Sequence, residues 1–165
     1  MTGAIRIRDA VSTDLPQVLA INETVVPAVN SLDAERMQWF FETAPWFRVA
    51  EAGDAVCGML IGFFDGYDYR SENYRWFSEH FARFAYVDRV AVRPSARRQG
   101  LATRLYRDFI DGMPAGVPVL TCEVNIEPPN PDSLRFHERL GFEAVGRQRT
   151  EQGRKEVALL ALELT

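Results

Sequence analysis

The stretch Val90-Ala91-Val92-Arg93-Pro94-Ser95-Ala96-Arg97-Arg98-Gln99-Gly100-Leu101-Ala102-Thr103 joins an apolar, β-branched run to the start of an amphipathic helical pattern. At such a junction the first N–H groups of the helix lack internal partners, and the helix dipole adds partial positive charge. An anion there gains hydrogen bonds and field together, and a phosphate fits well. Gly100 and Ala102 are small enough to let a bulky phosphate reach the backbone, while Arg97 and Arg98 add directional charge. No Gly-Lys-Ser/Thr follows and the glycines do not space as G-x-G-x-x-G, so nucleoside triphosphate chemistry is disfavoured.

The charge around this stretch is local. Arg89, Arg93, Arg97, Arg98, Arg104 and Arg107 fall in a run without a single acid, a segment of +6 in a chain whose formal charge is −4. Such a patch attracts a compact polyanion. The bland alternative is a solvated arginine-rich face, natural in a chain with 18 Arg and one Lys. The acidic balance of the whole argues against nucleic acid as the main partner; a nucleic-acid binder would show steep salt dependence.

Working outward, Phe84–Val92 reads as a strand, and Gly100 to Asp111 places Leu101, Leu105 and Phe109 at i, i+4, i+8, a stripe that ends at Gly112 before Pro114. Ala4–Arg8 alternates like a half-buried strand, Thr13-Asp14-Leu15-Pro16 starts a helix, and Ser31-Leu32-Asp33 opens another to about Thr43. Phe47–Glu51 and Ala55–Phe64, split by Ala52-Gly53-Asp54, form a hairpin. Pro118–Val124 is strand-like, Asn130–Leu140 is a short helix closed by Gly141, and Phe142–Thr150 with Val157–Leu164 is a hairpin turning at Gln152-Gly153. The order β-α-α-β-β-β-α-β-α-β-β predicts an α+β fold, an α/β sandwich with a central strand–loop–helix crossover.

A length of 165 residues with 47% apolar content, no internal repeat and no linker-like shift predicts one domain over residues 1–165. The longest near-apolar run, Ala55–Phe64, is about half of a bilayer span, and the N-terminus lacks a signal pattern, so a cytoplasmic protein with no membrane partner is expected. Cys57 and Cys122 are too few for a disulfide framework and are expected as buried thiols, and with only His80 and His137 no metal site is expected. The apolar final strand Val157–Leu164 either lies within the sheet or joins a second copy, which leaves a homodimer open.

Arg97-Arg98-Gln99-Gly100-Leu101-Ala102 resembles the R/Q-x-x-G-x-G/A pyrophosphate loop of the GNAT superfamily of N-acetyltransferases. Asn130-Pro131-Asp132-Ser133-Leu134-Arg135-Phe136-His137-Glu138-Arg139-Leu140-Gly141-Phe142 is similar to that family's later N-x-x-S/A…L-Y-x-x-x-G-F segment, in the expected order and spacing. The resemblance covers nearly the whole chain. It implies a mixed, mostly antiparallel sheet with splayed central strands flanked by helices, and acetyl-CoA seated between Tyr86–Val92 and Leu120–Val124. It places the pantetheine arm on the backbone of Val90, Ala91 and Val92, and the pyrophosphate on the amides of Arg97, Arg98, Gln99, Gly100, Leu101, Ala102 and Thr103. Asn130 and Ser133 join the cofactor-binding set.

Acetyl transfer to an amine needs a neutral nucleophile, a proton acceptor and a way to release the thiolate. Glu123, the polar residue of Leu120-Thr121-Cys122-Glu123-Val124, sits where desolvation would favour a useful base, and it resembles the strand glutamate that some family members use. The alternative is a pairing with an arginine or a solvent-facing strand end. His137 stands where the family commonly has a tyrosine that donates a proton to the CoA sulfur; a histidine titrates near neutrality, and its alternative is a satisfied, partly buried side chain. Asp88 is a second amine-binding candidate, against a salt bridge to a nearby arginine. The long connection Asp65–His80 offers Tyr67, Tyr69 and Trp76 as walls of an acceptor pocket, against an aromatic cluster that packs a helix onto the sheet. The reading is an acetyl-CoA-dependent N-acetyltransferase in which Glu123 removes the amine proton, strand amides hold the tetrahedral intermediate and His137 assists the thiolate. The acceptor is a primary amine, small molecule or peptide, with the small molecule favoured. The alternative reading is a non-catalytic acyl-CoA-binding sensor.

Overall fold

Alternation in Ile5-Arg6-Ile7-Arg8 builds strand β1 (Ile5–Asp9) of the computed structural model, which describes residues 4–164. There follow α1 (Leu15–Thr24), α2 (Ala34–Thr43), β2 (Trp46–Ala52), β3 (Ala55–Phe64), α3 (Glu72–His80), β4 (Ala85–Val92), α4 (Leu101–Gly112), β5 (Val119–Glu127), α5 (Pro131–Leu140), β6 (Glu143–Thr150) and β7 (Lys155–Glu163). The seven strands hydrogen-bond in the order β1-β2-β3-β4-β5-β7-β6. β1 with β2, β2 with β3, β5 with β7 and β6 with β7 are antiparallel, and β4 with β5 is parallel. This is the mixed, mostly antiparallel α+β architecture expected from the sequence. The chain forms two compact units, Met1–Gly62 with Asp88–Gly112, and Phe63–Val87 with Met113–Thr165. No described helix is long and apolar enough to cross a membrane.

In the first unit, Asp33 caps α2 by accepting from the Arg36 amide at 2.7 Å, as its position before the apolar run predicts. Helix α4 buries its stripe of Leu101, Leu105, Tyr106 and Phe109. Each such side chain contributes about 1.5–3 kcal/mol on burial. Gly58 of β3 leaves room for that close packing: a Cβ there would lie 3.2 Å from the Ala91 carbonyl and 3.3 Å from Leu101. At the other end of the helix, Phe109 packs on Trp46 at 4.9 Å between ring centroids, and Asp108 grips Arg48 through both oxygens at 2.9 and 3.0 Å. Helix α4 is thereby fixed along its length to β2, β3 and the end of β4.

In the second unit, the run Asp65–His80 is not one long connection. Ser71 accepts from the Tyr74 amide and starts α3, which buries Tyr74 and Phe77, three residues apart on one face. Helix α5 starts at Asn130, whose side chain accepts from the Ser133 amide, and stops at Gly141, whose φ of +103° is the left-handed conformation that favours glycine. β7 lies within the sheet, between β5 and β6. Both cysteines are buried thiols outside any disulfide, and burial pushes the Cys57 thiol up.

Candidate active site

Where β4 ends in the first unit, Arg93 donates its amide to the Cys57 carbonyl at 2.7 Å, and the chain makes a short turn through Pro94–Ala96 before α4. Arg98 and Gly100 then take left-handed φ values of +65° and +71°. The first backbone bond of α4 runs from the Arg104 amide to the Gly100 carbonyl at 3.1 Å. By helix geometry, the amides of Leu101, Ala102 and Thr103 precede that bond and have no partner inside the helix. Arg97, Arg98, Gln99 and Gly100 are exposed, and a Cβ at Gly100 would meet nothing within 4 Å. The head of α4 therefore carries N–H groups with no partner inside the helix, the helix dipole and the exposed Arg97 and Arg98, which suits a diphosphate.

Also in the first unit, the Asp88 carboxylate accepts from Arg89 Nε at 2.7 Å, and both side chains are almost wholly buried. The Arg89 guanidinium donates to Asn22 Oδ1 at 3.0 Å and to the Asn30 carbonyl at 3.2 Å, and lies over the Phe40 ring. Asp88 thus has the arginine partner that was its alternative in sequence. Arg89 and Asn22 tie the α1–α2 connection to β4, a role that no local pattern signals.

In the second unit, the parallel ladder joins Ala85 to Leu120 and Tyr86 to Thr121, and the Thr121 hydroxyl donates to the Ala85 carbonyl at 2.8 Å. Because side chains repeat every two residues along a strand, Glu123 stands on the same face of β5 as Thr121. The Tyr86 hydroxyl lies 2.9 Å from one carboxylate oxygen of Glu123 and 2.8 Å from the other. Tyr86 is fully buried and Glu123 is half-buried. A hydroxyl donor shared by both oxygens stabilises the ionised carboxylate, the form that accepts a proton.

His137 is 4% exposed, edge-on to Phe136 and Phe142. Its Nδ1 lies 2.7 Å from the Ser133 carbonyl and 3.4 Å from the Ser133 hydroxyl. A carbonyl only accepts, so Nδ1 carries the proton and Nε2 holds the lone pair in the neutral ring. Burial pushes the imidazole below its ordinary value. In the neutral ring Nε2 is therefore an acceptor, and only the imidazolium would offer a proton from that nitrogen.

Of the aromatic candidates, Tyr69 is buried and stacks on Phe63 at 4.2 Å, Trp76 stacks on His80 at 3.6 Å with part of its ring at the surface, and Tyr67 is 42% exposed. Tyr69 belongs to the aromatic cluster of the second unit with Phe63 and Tyr74. Among the described residues, no three His, Cys, Asp or Glu side chains are grouped to hold a metal ion.

A model of the acetyltransferase (GNAT) family matches residues 15–142, more than half the chain and inclusive of the α4 turn, Glu123 and α5. The chain belongs to that family. This GNAT acetyltransferase is 34% identical over 159 residues to the L-methionine sulfoximine/L-methionine sulfone acetyltransferase of Pseudomonas paraeruginosa, covering 90% of this chain and 86% of that protein. The protein of the same description from Pseudomonas aeruginosa matches equally. Among solved structures, the ribosomal-protein-S18-alanine N-acetyltransferase of Escherichia coli superposes with a TM-score of 0.71 at 20% identity, covering 97% of this chain and 94% of that one. A Salmonella typhimurium structure solved with its cofactor acetyl-CoA superposes with a TM-score of 0.70 at 22% identity, covering 99% and 95%. At those identities the structures show the fold.

Proposed function

We propose that residues 1–165 act as one acetyl-CoA-dependent N-acetyltransferase domain whose acceptor is the primary amine of a small, amino-acid-like molecule. The observation that supports the donor is the head of α4, with its amides lacking partners inside the helix, left-handed Gly100 and flanking arginines. Arg97, Arg98, Gln99, Gly100, Leu101, Ala102 and Thr103 would hold the diphosphate, and the β4 backbone at Val90, Ala91 and Val92 would hold the arm that leads to the thioester. What supports the acceptor is the 34% identity to relatives named for L-methionine sulfoximine and L-methionine sulfone.

Acetyl-CoA supplies an activated acetyl group. The acceptor nitrogen bonds to the acetyl carbon, the C–S bond breaks with its electron pair passing to sulfur, and the proton released by nitrogen goes to Glu123, directly or through one water. In this scheme the β4 amides stabilise the oxyanion, the thiolate takes its proton from solvent, and His137 with Asn130 and Ser133 orders the start of α5. Asp88, Tyr67 and Trp76 are the acceptor-side residues to probe.

The test incubates the protein with acetyl-CoA and a panel of amines headed by L-methionine sulfoximine and L-methionine sulfone, reading thiol release and acetylated product by mass spectrometry. The expected result is a product acetylated on the α-nitrogen, with kcat lowered about 10²–10⁴-fold in Glu123→Gln. Coenzyme binding without turnover across the panel would overturn the enzymatic reading in favour of a sensor.

A further inference from the structure

We infer that Tyr86, braced by helix α3, is the positioning residue that aims the Glu123 carboxylate and keeps it ionised; this rests on Glu123 being the base. A glutamate side chain has three rotatable bonds, and its last torsion is broad, so a strand position alone does not fix its oxygens. Here the Tyr86 hydroxyl sits 2.9 and 2.8 Å from the two oxygens, which sets the plane of the carboxylate. The hydroxyl is itself held. The Tyr86 ring meets Tyr74 edge-on at 5.6 Å and Phe77 at 5.8 Å, both from α3, and all three rings are almost wholly buried.

Tyr74 is anchored in turn. Its hydroxyl donates to the Phe64 carbonyl at 2.5 Å and accepts from the Tyr67 amide at 3.1 Å, while its backbone amide is capped by Ser71. The chain from α3 to the base therefore runs Ser71, Tyr74, Tyr86, Glu123 within one unit. Of the neighbouring elements, β7 places Leu159 opposite Glu123, α3 brings the Tyr74 phenol to Tyr86, and α5 carries His137. The aromatic insertion between β3 and β4 acts as a buttress for the base.

The deciding experiment titrates the Glu123 side-chain carboxyl by ¹³C NMR in the full chain, its resonance identified by its loss in Glu123→Gln, and compares wild type with Tyr86→Phe. Removing the donor destabilises the ionised form, so the midpoint rises by about one unit in Tyr86→Phe. The acid limb of kcat/KM for acetyl-CoA and L-methionine sulfoximine rises with it, kcat at neutral pH falls about tenfold, and KM changes less than about threefold. A purely packing role for Tyr86 would lower the melting temperature and leave both midpoints in place, which overturns the inference. A carboxyl midpoint that moves while Glu123→Gln keeps wild-type turnover would instead sink Glu123 as the base. Should Tyr86→Phe fail to fold, 3-fluorotyrosine at position 86 replaces it; the more acidic phenol then moves the carboxyl midpoint downward, and an unmoved midpoint overturns the inference.

Discussion

Gly100→Ala separates backbone strain from ligand binding at the head of α4. Gly100 holds φ at +71°, and a Cβ there would meet nothing within 4 Å, so the substitution adds no clash. Its cost is conformational, about 1–2 kcal/mol for a side chain in the left-handed region. Reduced freedom of the unfolded chain offsets part of that, leaving roughly 1 kcal/mol and a fall of about 0.5 M in the urea midpoint. The turn can escape this strain only by rotating Gly100, which swings the amides that follow it. Loss of one charge-assisted hydrogen bond to a diphosphate costs about 1.5–3 kcal/mol, a rise of roughly 10–100-fold in the Kd for coenzyme A by titration calorimetry. Gly53 supplies the matched control, because its φ is +61° and a Cβ there also meets nothing within 4 Å. Gly53→Ala should lower the urea midpoint by a similar amount and leave coenzyme affinity unchanged. Equal Kd values for Gly100→Ala and wild type, or equal weakening in Gly53→Ala, would refute the reasoning.

The buried, neutral His137 links stability to pH. Its folded value lies below the ordinary 6.5, so under that pH the unfolded chain binds a proton that the folded chain refuses. Unfolding free energy should therefore fall as pH drops below about 6.5 and level off beneath the folded value, and His137→Gln should flatten that slope; an unchanged slope contradicts the assignment. Asp108→Asn removes the charge that holds Arg48, whose pKa is raised chiefly by that contact, in a pair only about one-fifth exposed. A loss of roughly 1 kcal/mol in urea unfolding is expected, and no change in midpoint would show that α4 does not depend on this pair.

Most of the fold was legible because its elements carry their own punctuation. Asp33 before an apolar run, Asn130 with Pro131, and Gly141 after Leu140 mark helix ends whose capping chemistry is local. The alternation of Ile5 to Arg8 and the stripe from Leu101 to Phe109 mark faces whose burial follows directly. Helix α3 was harder to read, since the aromatics from Tyr67 to Trp76 show no clean period; the signal was Ser71 three residues before Tyr74. The left-handed Arg98, Glu151 and Gln152 are set by the turns they occupy rather than by their residue types.

The site divides the same way. The α4 turn was readable because its signals are local, a glycine in the left-handed region followed by the apolar stripe of the helix. Tyr86 and Glu123 are 37 residues apart, and only the register of the β4–β5 ladder, Tyr86 opposite Thr121, brings them together. The buried Asp88–Arg89 pair and its tie to Asn22 likewise depend on tertiary packing. The Nδ1 proton of His137 follows from one carbonyl 2.7 Å away and its lowered pKa from burial, neither of which residue type alone specifies.

The most direct measurement follows backbone amides in ¹⁵N NMR while coenzyme A is titrated into the protein. Hydrogen bonding to a diphosphate should shift the amides from Arg98 to Thr103 downfield, with Gly100 and Leu101 among the largest, and a dephosphorylated pantetheine should leave them in place. Saturable coenzyme binding with those amides unmoved would contradict the account.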